Sequence, residues 1–113
     1  MDQIANFHQY EFVWDKTKDE ANITKHGVSF AQATHIFLDP LALSQFDKSH
    51  SLFEERWLTL GLIGNWRFIV ANHTFTELSD NRMLIRLISA RFATRKERLY
   101  YDTQPQNGDR YVH

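Results

Sequence analysis

Cysteine is absent from this chain of 113 residues, and glycine and proline are scarce, with four and two residues. Without cysteine the protein can form neither a disulfide framework nor a thiolate metal site, which is the usual situation in a reducing compartment. No apolar run approaches the roughly 18 residues that a membrane-spanning helix needs. Residues 1–4 contain no basic segment and no apolar run, so we expect no signal peptide, no membrane contact and a cytoplasmic location.

What is present fits one globular domain. Hydrophobic residues make up 42% of the chain, and nine Phe, four Tyr and three Trp are among them, which is enough for a core. The sequence shows no internal repeat and no break in composition. We therefore predict a single domain over residues 1–113, with a core at about residues 12–102 and a frayed, flexible tail at residues 103–113.

Helix start and stop signals predict two helices near the N-terminus. Asp15 is placed to cap a helix over residues 16–26. Ser29 and Gln32 have the spacing of a capping box, in which each side chain binds the backbone N–H of the other residue. The helix that they open should end before Pro40, because the residue before a proline is pushed out of the helical region.

Further along, the sequence alternates with a period of two, which indicates β-strands. After a short β-prone run at residues 12–14, four strands are predicted: residues 41–46, 56–63, 66–75 and 82–92. Gly64-Asn65 has the form of a two-residue hairpin connection. Thr94 and Glu97 make a second capping box, so a last helix should cover residues 95–102. This order predicts an α+β fold with two N-terminal helices, a four-stranded, mostly antiparallel sheet and a C-terminal helix.

The two halves of the chain carry opposite net charge. Residues 1–55 hold four Lys and nine acids, a net charge of −5, whereas residues 56–113 hold nine basic residues and five acids, a net charge of +4. Six basic residues lie between Arg82 and Arg98, where Glu97 is the only acid. This asymmetry indicates an anionic partner for the second half, although a solvated strand edge and helix face would produce the same pattern.

The predicted hairpin places specific side chains opposite each other. A two-residue turn at Gly64-Asn65 would put Arg56 opposite His73. If Ala71 paired with Arg86 on the next strand, Arg86 would join the same face of the sheet. Two Arg and one His on one face predict a phosphate site, because guanidinium groups bind phosphate oxygens and imidazole can transfer a proton. The alternative for His73 is a half-buried histidine with a structural role only.

Lys25 and His26 allow two interpretations. They occupy the last turn of the first predicted helix, where the helix dipole favours cations, so capping explains them as well as catalysis does. The six histidines form neither an i, i+4 pair nor a His-Glu-x-x-His motif, so no metal site is predicted. The sequence also lacks a glycine-rich phosphate loop and a serine-nucleophile elbow.

A set of short segments occurs in a characteristic order. The segments are Phe12-Val13-Trp14-Asp15, Asn22-Ile23-Thr24-Lys25-His26-Gly27-Val28-Ser29-Phe30, Phe37-Leu38-Asp39-Pro40, Glu55-Arg56-Trp57-Leu58-Thr59 and Ile88-Ser89-Ala90-Arg91, followed by Ala93-Thr94, Glu97 and Tyr101. In this order they resemble the BrnT-type toxins over about residues 12–102.

The resemblance implies a compact RelE-like fold and a ribonuclease toxin that needs neither a metal ion nor another cofactor. It also implies a cognate BrnA-like antitoxin, a ribbon-helix-helix protein that neutralises the toxin and with it represses the operon. Lys25, His26, Arg56, Arg86 and Arg91 stand at positions that match the motifs of the family.

We therefore predict the toxin of a type II toxin–antitoxin system, which cleaves RNA and inhibits translation. The predicted catalytic residues are Lys25, His26, Arg56, His73 and Arg86, and the predicted nucleic-acid-binding residues are Arg91, Arg95, Lys96 and Arg98. The alternative is an inactive relative that acts only as a binding module with its antitoxin on operator DNA. Apolar side chains on both faces of the predicted sheet indicate a partner chain across it, with a homodimer as the alternative to an antitoxin.

Overall fold

The computed structural model describes residues 2–7, 9–79 and 81–104, and for residues 2–7 only the backbone. In this part of the chain, six strands form one mixed sheet in the order β1-β2-β6-β5-β4-β3. The elements in chain order are β1 Asp2–Phe7, β2 Tyr10–Asp15, α1 Lys16–His26, α2 Phe30–Ala33, a first 3₁₀ helix Thr34–Leu38, β3 Leu43–Phe46, a second 3₁₀ helix Lys48–His50, β4 Trp57–Ile63, β5 Arg67–Ser79, β6 Arg82–Phe92 and α3 Arg95–Thr103.

Helix α1 has the predicted bounds, Lys16–His26. The Asp15 carboxylate accepts a backbone hydrogen bond of 2.9 Å from the first turn, and Gly27 ends the helix with a φ of 73°. The buried residue of this helix is Asn22, whose side chain donates to the carbonyl of Ala90 at 2.8 Å and accepts from its N–H at 3.1 Å. Hydrogen bonds to the backbone of β6 therefore hold α1 in place where an apolar stripe is lacking.

The second predicted helix is a single α-helical turn that continues as a 3₁₀ helix. Ser29 and Gln32 form the predicted capping box, with hydrogen bonds of 3.0 and 3.1 Å. The first 3₁₀ helix packs on β4, where its Ile36 is fully buried. A Cβ atom built on Gly61 would lie 2.6 Å from the Cβ of Ile36, so the two layers approach this closely only because position 61 has no side chain.

The prediction of an α+β fold is confirmed, but the sheet differs from the predicted one. It has six strands instead of four, because β1 and β2 add an antiparallel hairpin at the open edge of β6. Strand β2 pairs with β6 in parallel, through Tyr10–Val13 and Met83–Arg86, so the sheet is mixed. Strand pairing over about 70 positions leaves no local sequence signal, and the N-terminal residues before Phe12 carried no strand pattern of their own.

The predicted register of the β4–β5 hairpin is wrong by one residue. The connection has three residues, Gly64 to Trp66, so that Ile63 pairs with Arg67 and Trp57 pairs with His73. Because successive side chains of a strand point to opposite faces, this shift moves Arg56 away from the position opposite His73.

The pairing of Ala71 with Arg86, one of the registers that the sequence left open, does not form. Ala71 pairs with Ala90, and Arg86 pairs with Thr74. The register shifts between Asn72 and His73, whose partners are Ser89 and Leu87, so Ile88 is an extra residue in β6. In a regular strand, residues five positions apart point to opposite faces of the sheet. The extra residue at Ile88 reverses this, so that Arg86 and Arg91 lie on the same face.

The sheet separates two apolar clusters. On the first face, α2 and the first 3₁₀ helix cover the main core, which consists of Phe12, Trp14, Val28, Phe30, Ala33, Ile36, Ile69, Ala71, Ile85, Leu87 and Ala90. On the second face, Tyr101 of α3 packs against Leu60 and Val70, and its hydroxyl donates to Asp39 at 2.6 Å. Helix α3 covers only one end of the second face, and the other end carries the charged groups described below.

Helix α3 begins with the predicted capping box, in which Thr94 and Glu97 exchange hydrogen bonds of 2.8 and 3.1 Å. It ends at Thr103, the first residue of the predicted tail, and Gln104 follows it. The predicted tail from residue 105 to residue 113 lies outside the described residues. No helix in the described part of the chain is both long and apolar enough to cross a membrane.

Candidate nucleic-acid site

Two predicted site residues, Arg56 and Arg86, converge on one carboxylate. Nη2 of Arg86 lies 2.5 and 2.6 Å from the two carboxylate oxygens of Glu54. Nη2 and Nε of Arg56 lie 3.3 and 3.4 Å from Oε1 of the same residue. The hydrogen bonds from Arg86 hold the pKa of the Glu54 carboxyl below its ordinary value. We call Arg56 and Arg86 the arginine pair.

The fold places the arginine pair at the uncovered end of the second face. Arg86 is in the middle of β6 opposite Thr74, and Arg56 immediately precedes β4. The loop before β4 is closed by Ser51, whose hydroxyl accepts from the Arg56 N–H at 3.0 Å and donates to the Asp47 carbonyl at 2.5 Å. This loop brings Glu54 and Arg56 to Arg86 across 30 or more positions of sequence.

A second candidate pair, Asp47 and His50, lies in the same loop and was missed by sequence analysis. Nδ1 of His50 lies 2.9 Å from Oδ2 of Asp47, which also accepts from the Asn72 amide at 2.9 Å. The Asp47 carboxylate is buried, whereas 64% of the His50 side chain is exposed. Since a carboxylate only accepts, Nδ1 of His50 donates in this contact, which leaves Nε2 outside it. A buried carboxylate that orients an exposed imidazole is the usual arrangement of an acid–base pair.

The His50 pair could not have been recognised from spacing alone. His50 was one of six histidines without a metal-binding pattern, and Asp47 looked like an ordinary loop residue. The one available signal was an Asp three positions before a His in a polar loop, which is common and unspecific.

His73 lies elsewhere, within the core of the first face. It is fully buried, between the edges of Phe37 and Phe75, and its Nε2 accepts from the Thr59 hydroxyl at 2.6 Å. Burial lowers the pKa of His73 to about 4, so its ring is neutral at pH 7. The predicted juxtaposition of Arg56, His73 and Arg86 on one face is therefore wrong, since His73 and Arg86 point to opposite faces.

Lys25 and His26 are in the last turn of α1, as predicted. Lys25 is exposed and His26 is half-buried. Their helix is anchored by Asn22 at Ala90, which is four residues along β6 from Arg86, or roughly 13 Å of extended strand. Among the described side chains, no contact joins Lys25 or His26 to the arginine pair.

Arg91 is engaged in a structural contact. Its two terminal nitrogens donate to the two carboxylate oxygens of Glu97 at 2.8 and 3.0 Å, in the parallel geometry of a bidentate pair. These bonds lower the pKa of Glu97 to about 2 and raise that of Arg91. Because Glu97 also belongs to the capping box, the contact fastens the start of α3 to the end of β6.

The charge asymmetry of the sequence is cancelled only in part by ion pairs between the two halves of the chain. Acids from the first half pair with arginines of the second half, because Glu11 contacts Arg82 and Glu54 contacts Arg86. Arg91 pairs with Glu97 of the second half itself. Three of the six basic residues between positions 82 and 98 therefore have a carboxylate partner: Arg82, Arg86 and Arg91. The other three lie exposed on α3, and within the described residues no carboxylate pairs with them: Arg95, Lys96 and Arg98.

The arrangement is suited to binding an oxyanion. Glu54 places two negative oxygens between two guanidinium groups, which is where the oxygens of a phosphate would lie. The acid–base pair of Asp47 and His50 is in the same loop, and a surface depression is lined by His50, Glu54 and Arg56. Oxyanion-binding cations beside an oriented imidazole are the components of phosphate-ester chemistry.

A comparison with protein families matches residues 14–97 of the chain. The matching family is described as the ribonuclease toxin, BrnT, of type II toxin–antitoxin systems. A comparison with curated proteins gives no match.

Proposed function

Because this chain belongs to the BrnT family of type II ribonuclease toxins, we propose that it cleaves RNA without a metal ion and so inhibits translation in the cytoplasm. The observation that carries this proposal is the convergence of Arg56 and Arg86 on a single carboxylate. Two guanidinium groups at one point supply the positive charge that a phosphate in the transition state requires.

In the proposed reaction, a base removes the proton from a ribose 2′-hydroxyl, and the 2′-oxygen attacks the neighbouring phosphorus. The bond between phosphorus and the 5′-oxygen breaks, and an acid returns a proton to that oxygen. The products are a 2′,3′-cyclic phosphate and a 5′-hydroxyl. Charge on the phosphate oxygens rises during the attack, and the arginine pair would stabilise it by about 10²–10³ in rate for each well-placed donor.

The best-oriented proton carrier is His50. The buried Asp47 carboxylate holds Nδ1, so Nε2 is free to take the 2′-proton and to return a proton to the leaving oxygen. His26 and Lys25, at positions that match the family motifs, are the second candidate. They would act only if the RNA chain extended from the arginine pair to the end of α1.

As a type II toxin, the chain has an antitoxin as its partner. We propose that the antitoxin is a BrnA-like ribbon-helix-helix protein that covers the exposed end of the second face, and that it carries the complex to operator DNA. At the other end of that face, exposed apolar residues of α3 would extend the contact, since Leu99 and Tyr100 have 54% and 57% of their surface in water. A homodimer that uses the same surface is the alternative.

The test of the proposed function is cleavage of RNA by the purified chain and by two arginine variants. We expect Arg86→Ala to lower kcat/KM about 10²–10³-fold, because one donor to the phosphate is lost. Arg82→Ala is the matched control, since Arg82 lies on the same strand, is paired with Glu11 and is outside the arginine pair. Equal activity of wild type and Arg86→Ala, with both folded, would contradict the assignment.

If the wild-type chain cleaves no RNA but still binds its antitoxin, the protein is a binding module on operator DNA. The occupation of the arginine pair by Glu54 favours this second candidate, because an internal carboxylate competes with substrate.

A further inference from the structure

Phe53 is the most exposed large apolar residue in the described part of the chain. It lies in the loop between the second 3₁₀ helix and β4, and 95% of its surface is in water. Its neighbour Leu52 is 83% exposed. The two side chains thus place an apolar surface in water directly beside charged groups, which is a common feature of binding sites.

The position of Phe53 relates it to the arginine pair. Two surface depressions share Glu54 as a common wall. The first contains Arg86 and Thr74, and the second contains Phe53 and Arg56. If a polymer placed one phosphate between the two arginines, its neighbouring unit would lie in the second depression. That unit would contact the ring of Phe53.

The surroundings of the ring suit a nucleic acid as the ligand. The ring lies in the same depression as Glu54 and Arg56, and Glu54 is the carboxylate on which both arginines converge. A phosphodiester chain presents a negative charge and a flat base in each unit, so it would satisfy the arginines and the ring together. Aromatic rings beside cationic grooves bind single strands in this way, with little dependence on sequence.

We infer that Phe53 stacks on the base next to the phosphate held by Arg56 and Arg86, and that it is a positioning residue for RNA cleavage. This inference rests on the proposed function. Phe53 does not touch the reacting atoms in this arrangement. It fixes the register of the strand, so that the ribose beside the phosphate lies within reach of the base.

The first experiment measures the affinity of short 2′-O-methyl RNA oligonucleotides, which cannot be cleaved because their 2′-oxygen is blocked. Phe53→Leu keeps the apolar side chain but removes the flat ring, and we expect it to weaken binding roughly five- to fiftyfold. Phe53→Tyr keeps the ring and should bind like wild type. Leu52→Ala is the matched control, because it truncates another strongly exposed apolar side chain at the preceding position.

The second experiment uses oligonucleotides in which one position at a time lacks its base. If Phe53 stacks on a defined base, wild type and Phe53→Leu differ on the intact oligonucleotide and become equal when that base is missing. With cleavable RNA, the Leu variant should show mainly a raised KM, and the Tyr variant should restore it.

The outcomes separate this inference from the proposed function. RNA binding that needs Arg86 and is unchanged in Phe53→Leu would overturn the inference and leave the function intact. Loss of binding that is the same at every abasic position would also overturn it, because stacking is local. If Phe53→Leu keeps its RNA affinity and loses binding of a ribbon-helix-helix antitoxin, the ring is a protein anchor and the inference is wrong. A wild-type chain that neither binds nor cleaves RNA would refute both.

Discussion

Glu54 and Arg86 lie 32 positions apart, and both carboxylate oxygens of Glu54 lie within 2.6 Å of one guanidinium nitrogen of Arg86. This contact occupies the point at which the proposed RNA phosphate would bind. The carboxylate has the charge of a phosphate monoanion, and it also engages Arg56. Glu54 therefore keeps the two like charges of the arginine pair together, and it would have to leave for the proposed phosphate to bind.

Replacement of Glu54 by glutamine should strengthen RNA binding. The amide keeps the size of the side chain but holds the arginines less tightly, so a phosphate displaces it at lower cost. We expect a several-fold lower Kd for an uncleavable oligonucleotide at low salt. Glu77→Gln, an exposed acid on β5, makes the same change of charge away from the site. Weaker binding by Glu54→Gln than by Glu77→Gln would mean that Glu54 positions the arginines for RNA and does not compete with it.

Histidine variants should identify the proton carrier. We expect His50→Gln to lower kcat about 10²–10⁴-fold, which is the usual contribution of a general acid or base, and to lower it more than His26→Gln does. His35→Gln, in the exposed surface of the first 3₁₀ helix, serves as the control. The measurement is single-turnover cleavage with saturating enzyme, which isolates the chemical step. The reverse order of the His50 and His26 variants would move the chemistry to the end of α1.

The buried His73 should make folding stability depend on pH. Burial lowers the pKa of His73 to about 4, from 6.5 in the unfolded chain. Between these two values, the unfolded state binds a proton that the folded state does not bind. The contribution of neutral His73 to the free energy of unfolding is therefore complete above pH 6.5. It is lost as the pH falls towards 4, and the loss is at most about 3 kcal/mol. Urea unfolding of wild type and of His73→Gln measures this, and the pH slope should shrink in the variant. A slope that His73→Gln leaves unchanged would show that other groups cause it.

The exposed cations of α3 should govern the salt dependence of RNA binding. Arg95, Lys96 and Arg98 have no carboxylate partner among the described residues, so phosphates that they neutralise release counterions. Replacing all three by glutamine should reduce the slope of log K against log salt by about 2 for single-stranded RNA. The matched control is Lys16→Gln with Lys18→Gln at the start of α1. An equal reduction per removed charge in both variants would indicate a general effect of net charge.

Local signals predicted the helices because helix ends are set by a few neighbouring residues. Asp15, Ser29 and Thr94 cap their helices as expected. Strand β6 has its predicted bounds, Arg82–Phe92, because a β-prone run rich in Leu and Ile lies between a polar loop and the capping box at Thr94. The family was also recognisable, since its motifs are short segments and their order can be read directly from the sequence.

Strand register could not be predicted from the same signals. Apolar side chains occur on both faces of β4 and β5, so a slip by one residue leaves the hydrophobic pattern almost as good as before. Trp66 lengthens the hairpin connection to three residues, and Ile88 adds one residue to β6. These two shifts in register determine which arginines lie on the same face of the sheet. The site was hidden for a related reason, because Glu54 and Arg86 meet only through the completed sheet.

The contact between Gly61 and Ile36 has a genetic consequence. Any side chain at position 61 would force the first 3₁₀ helix away from β4, because a Cβ atom there would overlap Ile36. A selection for bacteria that survive expression of this toxin would therefore yield two classes of mutants. Substitutions of the arginine pair would leave the protein abundant and harmless, whereas substitutions of Gly61 would remove it from the cell by proteolysis.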